Sequence, residues 1–143
     1  MPALVVRGQV YLHLHYTYPD GGNVADKRII VLNKLHLPTQ PIIVVPTKTY
    51  VHEGKFSPGY KPDLQQFFIS AHQDCFENDT QIQLYVLGLT AAISEDEFKA
   101  CQASGVISPK PIAALRRETI VQICDCFVRM KEDIRMDYQQ HIL

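Results

Sequence analysis

Three small groups of side chains in this 143-residue chain are of types that act together on a phosphate. Lys27 and Arg28 set an ammonium beside a guanidinium at the head of an apolar run. A guanidinium fork matches phosphate oxygens with two parallel hydrogen bonds. Thr47-Lys48-Thr49 places hydroxyls around a further cation, just after Pro46. His13 and His15 add two imidazoles, the side chain whose ordinary titration lies nearest neutrality and which therefore moves protons readily. A cation to hold a phosphodiester, a hydroxyl to orient it and an imidazole to shuttle a proton are the parts of a phosphoryl-transfer site. Each group also has a plainer use. Charges flank apolar strands as gatekeepers, threonines at strand ends bond nearby backbone, and imidazoles serve on a polar strand face.

Other chemistries lack their motifs. There is no Gly-x-Ser-x-Gly elbow, and Gly54-Lys55 has no upstream glycine to make a phosphate loop. His-x-His on a strand is a metal-ligand spacing, but further ligands would have to come from His36, His52 or His72 through the fold. No metal and no cofactor is expected. Cys75, Cys101, Cys124 and Cys126 form no Cys-x-x-Cys, so reduced thiols are expected rather than a zinc ribbon.

The elements that must position these groups follow from periodicity. In Arg7 to Tyr18, Val10, Leu12, Leu14 and Tyr16 alternate with Tyr11, His13, His15 and Thr17. Period two predicts a strand with one apolar and one polar face. The cluster Pro19-Asp20-Gly21-Gly22-Asn23 ends it. Ile29-Ile30-Val31-Leu32 and Ile42-Ile43-Val44-Val45 are continuous apolar runs, which suit strands buried on both faces or the centre of a small barrel. Residues 51–65 read as a long loop, and strands resume at Gln66 to Ser70 and Gln81 to Leu87. Ser94-Glu95-Asp96-Glu97 is a capping box that starts a helix, and Gly105 suits its C′ position. Ser108-Pro109 predicts a second helix, uninterrupted by proline or glycine from Ile112 to Leu143 and about 45 Å long if fully formed.

Strands followed by helices give an α+β class, a small barrel or bent sheet packed against two C-terminal helices. One domain over 1–143 is expected, with the barrel in 1–92 and the helical part in 93–143. Hydrophobic residues at 46% supply a core and argue against disorder. No apolar run reaches the roughly 18 residues of a membrane span, and the N-terminus lacks signal-peptide features, so the expected location is cytoplasmic. The net charge of −1 is unlike that of a general nucleic-acid binder. The distribution is uneven, however: residues 1–61 hold seven basic and three acidic side chains, and residues 62–93 hold four acidic and no basic one. A local positive surface is compatible with the neutral whole.

Arg7-Gly8-Gln9-Val10-Tyr11, Arg28-Ile29-Ile30-Val31-Leu32 and Pro41-Ile42-Ile43-Val44-Val45-Pro46-Thr47-Lys48 together resemble the PemK/MazF toxins of toxin–antitoxin systems. The resemblance covers residues 7–50. Ile29 stands where the family has proline, Lys48 where it has serine, and residues 66–85 contain no arginine. It implies an SH3-like antiparallel barrel and metal-independent cleavage of single-stranded RNA. Arg28 would stabilise the charged phosphorane, Thr47 would position the phosphate, and His15 would shuttle the proton, with His13 second. Lys27, Lys48, His13, Tyr16 and Tyr50 would bind RNA. A homodimer and an antitoxin partner are implied as well. The alternative is a non-catalytic protein-interaction module on the same fold, of the kind associated with phages or plasmids.

Overall fold

The structure, a computed structural model, describes residues 4–17, 24–50, 59–61, 66–69, 82–86, 90–129 and 136–142. Of residues 17, 24, 25, 47–50, 59–61, 66–69, 82–86 and 129 it describes the backbone alone. The turn at 19–23, the loop stretches 51–58 and 62–65, the 74–79 connection, Cys75, His52 and His72 lie outside the described residues.

Among the described residues eight strands pair antiparallel. They are β1 (Gln9–Thr17), β2 (Val24–Val31), β3 (Ile42–Tyr50), β4 (Gly59–Lys61), β5 (Gln66–Ile69), β6 (Ile82–Val86), β7 (Ala91–Ile93) and β8 (Ala113–Ala114). The path runs β4-β5-β6-β3-β2-β1-β8, with β7 also on β3. The short strand β4 falls in what reads as loop from the sequence. Three helices are described: α1 (Glu95–Ser104), α2 (Arg117–Arg129) and α3 (Met136–Ile142). None of the described helices is long and apolar enough to cross a membrane.

The class is α+β, but the sheet does not close into a barrel. The path ends at β4 and at β8, and no described pairing joins those ends. The reason lies in β2 and β3, which are apolar on both faces. Ile29, Val31, Ile42 and Val44 point to one side, where Tyr11, Tyr16, Ile93, Ile107 and Phe98 of α1 cover them. Ile30, Leu32, Ile43 and Val45 point to the other, under Leu115, under Ile123, Cys126 and Phe127 of α2, and under Ile142 of α3. A small barrel shelters one face only. Two apolar faces demand a cover on each, and each fully buried Ile or Phe contributes about 1.5–3 kcal/mol.

Strand β1 is buried on both sides as well, which corrects the expected apolar-and-polar alternation. Val10 lies in the α2 layer and Tyr11 in the α1 layer. The Tyr11 ring meets Phe98 edge-on, centroids 5.2 Å apart at 86°. Burial pushes the Tyr11 phenol above its ordinary pKa.

Helix α1 matches its sequence signals. The Ser94 hydroxyl accepts the Glu97 N–H at 3.1 Å, and Gly105 takes the left-handed conformation at φ 85°. Three acidic residues in its first turn complement the helix dipole. The connection between β2 and β3 is tied to this helix. Leu37 to Gln40 form a turn in which Thr39 has φ 71°. The Thr39 N–H donates to Glu95 Oε2 at 2.9 Å, Lys99 Nζ lies 2.9 Å from Glu95 Oε1, and His36 Nε2 lies 3.7 Å from Glu95 Oε2. Asn33 closes the base, donating to the Pro41 carbonyl and accepting the Ile43 N–H.

The expected long second helix is a correction. Residues 106–115 instead run along the outer edge of β1. Leu14 N–H donates to the Val106 carbonyl, Ser108 N–H to Leu12, Ile112 N–H to Val10, and Leu115 N–H to Gly8. Ser108 Oγ also accepts the Leu12 N–H. The backbone groups of β1 on that side need partners, and this segment supplies them. Pro109 and Pro111, which have no N–H, fall between its donors Ser108 and Ile112. Only at Arg117 does α2 begin. Beyond Arg117 the described elements are α2 and α3, and Phe127 of α2 and Ile142 of α3 belong to one buried cluster. Arg7 fastens the end of the chain to the sheet, its guanidinium donating to the Leu32 carbonyl at 2.7 Å and to the Ile142 carbonyl.

Candidate nucleic-acid interface

Antiparallel pairing brings most of the chemically suggestive residues to one end of the three central strands. Across β1 and β2, Leu12 is opposite Arg28 and His13 is opposite Lys27. Across β2 and β3, the described pairing ends with Ile29 opposite Pro46. Arg28 and Thr47 are each the next residue beyond that pair. From there the two ladders part. β2 continues back to Val24 against β1, while Thr47 to Tyr50 of β3 pair with Tyr85 to Ile82 of β6. Proline at position 46 suits this point, because it cannot donate a ladder hydrogen bond.

The result is a fork of backbone. One arm carries Lys27, Arg28, His13 and His15, and the other carries Thr47, Lys48 and Tyr50 at strand positions only, since their side chains lie outside the described residues. Lys27 and Arg28 are half-buried and His15 is exposed. The described backbone therefore brings three cationic positions, a threonine and two histidines toward one end of the central strands, with Lys27 and Arg28 on opposite faces by strand alternation.

The two histidines are in different situations. The His13 ring is half-buried, packs edge-on against Tyr16 with centroids 5.1 Å apart, and places Nδ1 2.8 Å from the Leu14 carbonyl. A carbonyl only accepts, so Nδ1 is the protonated nitrogen. His15 is exposed and has φ 53°. It sits where the β1–β2 register shifts between His13 and Tyr16, so the two imidazoles do not share a face by simple alternation. Tyr16 is a correction. At 5% exposure it belongs to the core with Tyr11, and its ring does not offer a face for base stacking.

One residue of this region escaped the sequence reading. Asp26 lies opposite the shifted stretch of β1, and its Oδ1 accepts the His15 N–H at 3.1 Å. In sequence it is an acid before two bases; only the register shows what it faces.

Away from the fork, the described cysteines Cys101, Cys124 and Cys126 are free thiols, and Cys126 is buried. Burial raises the Cys101 and Cys124 thiols above their ordinary pKa, which disfavours the nucleophilic thiolate. Among the described residues no group of three His, Cys, Asp or Glu side chains is gathered to hold a metal ion. Compared with protein-family models and with curated proteins, the chain matches none. The described residues thus form an α+β protein with a doubly covered antiparallel sheet in which the β2–β3 and β3–β6 ladders part after Pro46.

Proposed function

We propose that this chain is a toxin-like protein of the PemK/MazF kind that cleaves single-stranded RNA without a metal at the fork between β2 and β3. In this reading the sheet is an opened relative of the SH3-like barrel. The observation that carries the proposal is the register: Arg28 and Thr47 are successors of the same last pair, Ile29 and Pro46, on strands that then separate.

The reaction is a transesterification. The ribose 2′-oxygen forms a bond to the adjacent phosphorus, the bond from phosphorus to the 5′-oxygen breaks, and a 2′,3′-cyclic phosphate results. The 2′-hydroxyl gives up its proton and the leaving 5′-oxygen gains one, so no oxidant or further reactant is needed. The guanidinium of Arg28 stabilises the extra negative charge of the phosphorane, an electrostatic contribution that is large when the donor is held in place beforehand. Thr47 orients the phosphate, His15 moves a proton, and Lys27 and Lys48 neutralise neighbouring phosphates. The tyrosine left for stacking is Tyr50. A homodimer and an antitoxin partner belong to the same proposal.

The test is purified protein with single-stranded RNAs of varied sequence in EDTA. Cleavage to cyclic-phosphate ends is expected, falling about 10²–10³-fold in Arg28→Ala, as for loss of one charge-stabilising donor. Cleavage that survives both Arg28→Ala and Thr47→Ala overturns the assignment. The burial of Tyr16 favours the second reading, a protein-interaction module on this fold, because it removes one aromatic platform. Intact RNA across all sequences selects that reading.

A further inference from the structure

The β1–β2 ladder contains one residue too many. His13 opposes Lys27 and Tyr16 opposes Ala25, so Leu14 and His15 together face the single residue Asp26. This is a β-bulge, a device that re-aims a side chain. His15 adopts φ 53°, a conformation that costs free energy for a residue with a Cβ. Its N–H is taken by the Asp26 carboxylate at 3.1 Å, while the neighbouring Leu14 N–H points the other way, to the Val106 carbonyl at 2.7 Å. Both amides of the bulge are therefore held, from opposite sides. The extra residue lets Tyr16 enter the core beside Tyr11 and leaves the His15 side chain exposed.

We infer that Asp26 is the positioning residue for His15: two residues along β2 from Arg28, its carboxylate clamps the bulge that leaves the imidazole exposed. This rests on the ribonuclease reading of the fork. Asp26 does not touch the phosphate in this scheme. It acts through the backbone of His15, and an acceptor oxygen is what the role requires. Asparagine supplies one and alanine does not.

Two readouts separate this inference from the reading beneath it. Amide hydrogen exchange at His15, followed by NMR on the full chain, reports the clamp without any RNA. Exchange about tenfold faster in Asp26→Ala, with Asp26→Asn close to wild type, is expected from loss of a hydrogen bond of roughly 1.4 kcal/mol. Unchanged exchange in Asp26→Ala overturns the clamp. Steady-state cleavage then tests the consequence. Asp26→Ala is expected to lower kcat with KM held, Asp26→Asn to restore it, and Asp26→Ala to add nothing in a His15→Ala background. Equal losses from Asp26→Ala with and without His15 overturn the positioning role. Wild-type protein that leaves RNA intact overturns the ribonuclease reading and the catalytic use of the clamp, whatever the amide shows.

Discussion

Replacing Gly8 by alanine meets two separate penalties, and the structure contains the control that separates them. Gly8 has φ 90°, and a Cβ built on it would lie 2.3 Å from Ile120 Cδ1 and 3.0 Å from Ile120 Cγ1. Carbon atoms pack best at about 3.5–4.0 Å, so Ile120 must move. The left-handed backbone costs an L-residue about 1–2 kcal/mol. Overpacking adds about 1–3 kcal/mol, and the stiffer unfolded chain returns about 0.4–1 kcal/mol. The net expectation is about 2–4 kcal/mol of lost stability. Gly105 has nearly the same φ, 85°, with nothing within 4 Å of its built Cβ. Gly105→Ala therefore carries the backbone penalty alone, about 1 kcal/mol. Urea unfolding of the two variants measures the difference, with a midpoint shift of about 1–2 M for Gly8→Ala if the slope is near 2 kcal/mol/M. Ile120→Val removes Cδ1 and should make Gly8→Ala milder than the sum of the single changes. Equal losses at positions 8 and 105, or strict additivity with Ile120→Val, would refute the proposed overlap.

Thr39 is a β-branched residue at φ 71°. Thr39→Gly removes that strain and should raise stability by up to about 1 kcal/mol after the entropy cost of glycine; a lower thermal midpoint contradicts this. Lys99 and the Thr39 N–H hold the Glu95 carboxyl below its ordinary value of 4.5. A carboxyl with a depressed folded-state pKa contributes stability above its unfolded value and loses it as the pH falls through the folded one. Wild type should therefore exceed Glu95→Gln in urea midpoint at pH 7, and the gap should close in acid below pH 4.5. A gap that is constant from pH 7 to pH 3 rules this out.

What could be read in advance depended on whether the responsible interaction was local. The bounds of α1 were legible because Ser94, Glu97 and Gly105 act within a few residues of the helix they punctuate. The cores of β2 and β3 were legible because β-branched runs suit few other settings. The failure at residues 108–115 has a different origin. Ser108-Pro109 is a good helix start, but the edge of β1, about a hundred residues earlier, offers the same backbone a set of hydrogen bonds that no local pattern announces. The two-sided burial of β1 was hidden for a similar reason, since Val10 and Tyr11 are covered by layers from distant parts of the chain, and the bulge then turns Tyr16 to the face of Tyr11. For the candidate site, residue types at positions 28 and 47 were suggestive in sequence. That they succeed one common pair appears only from strand register, and Asp26 gained meaning only from what it opposes. Arg7 and Gly8, read as part of a motif, emerge as fastening and spacing elements: one binds the Leu32 and Ile142 carbonyls, the other leaves room for Ile120.

The strap formed by residues 106–115 also has a temporal aspect. At synthesis rates of roughly 5–20 residues per second, it leaves the ribosome several seconds or more after β1 does. During that interval the flank of β1 is a bare template on which a neighbouring nascent chain can add a strand. The unpaired interval ends once the chain's own later segment arrives to occupy the place.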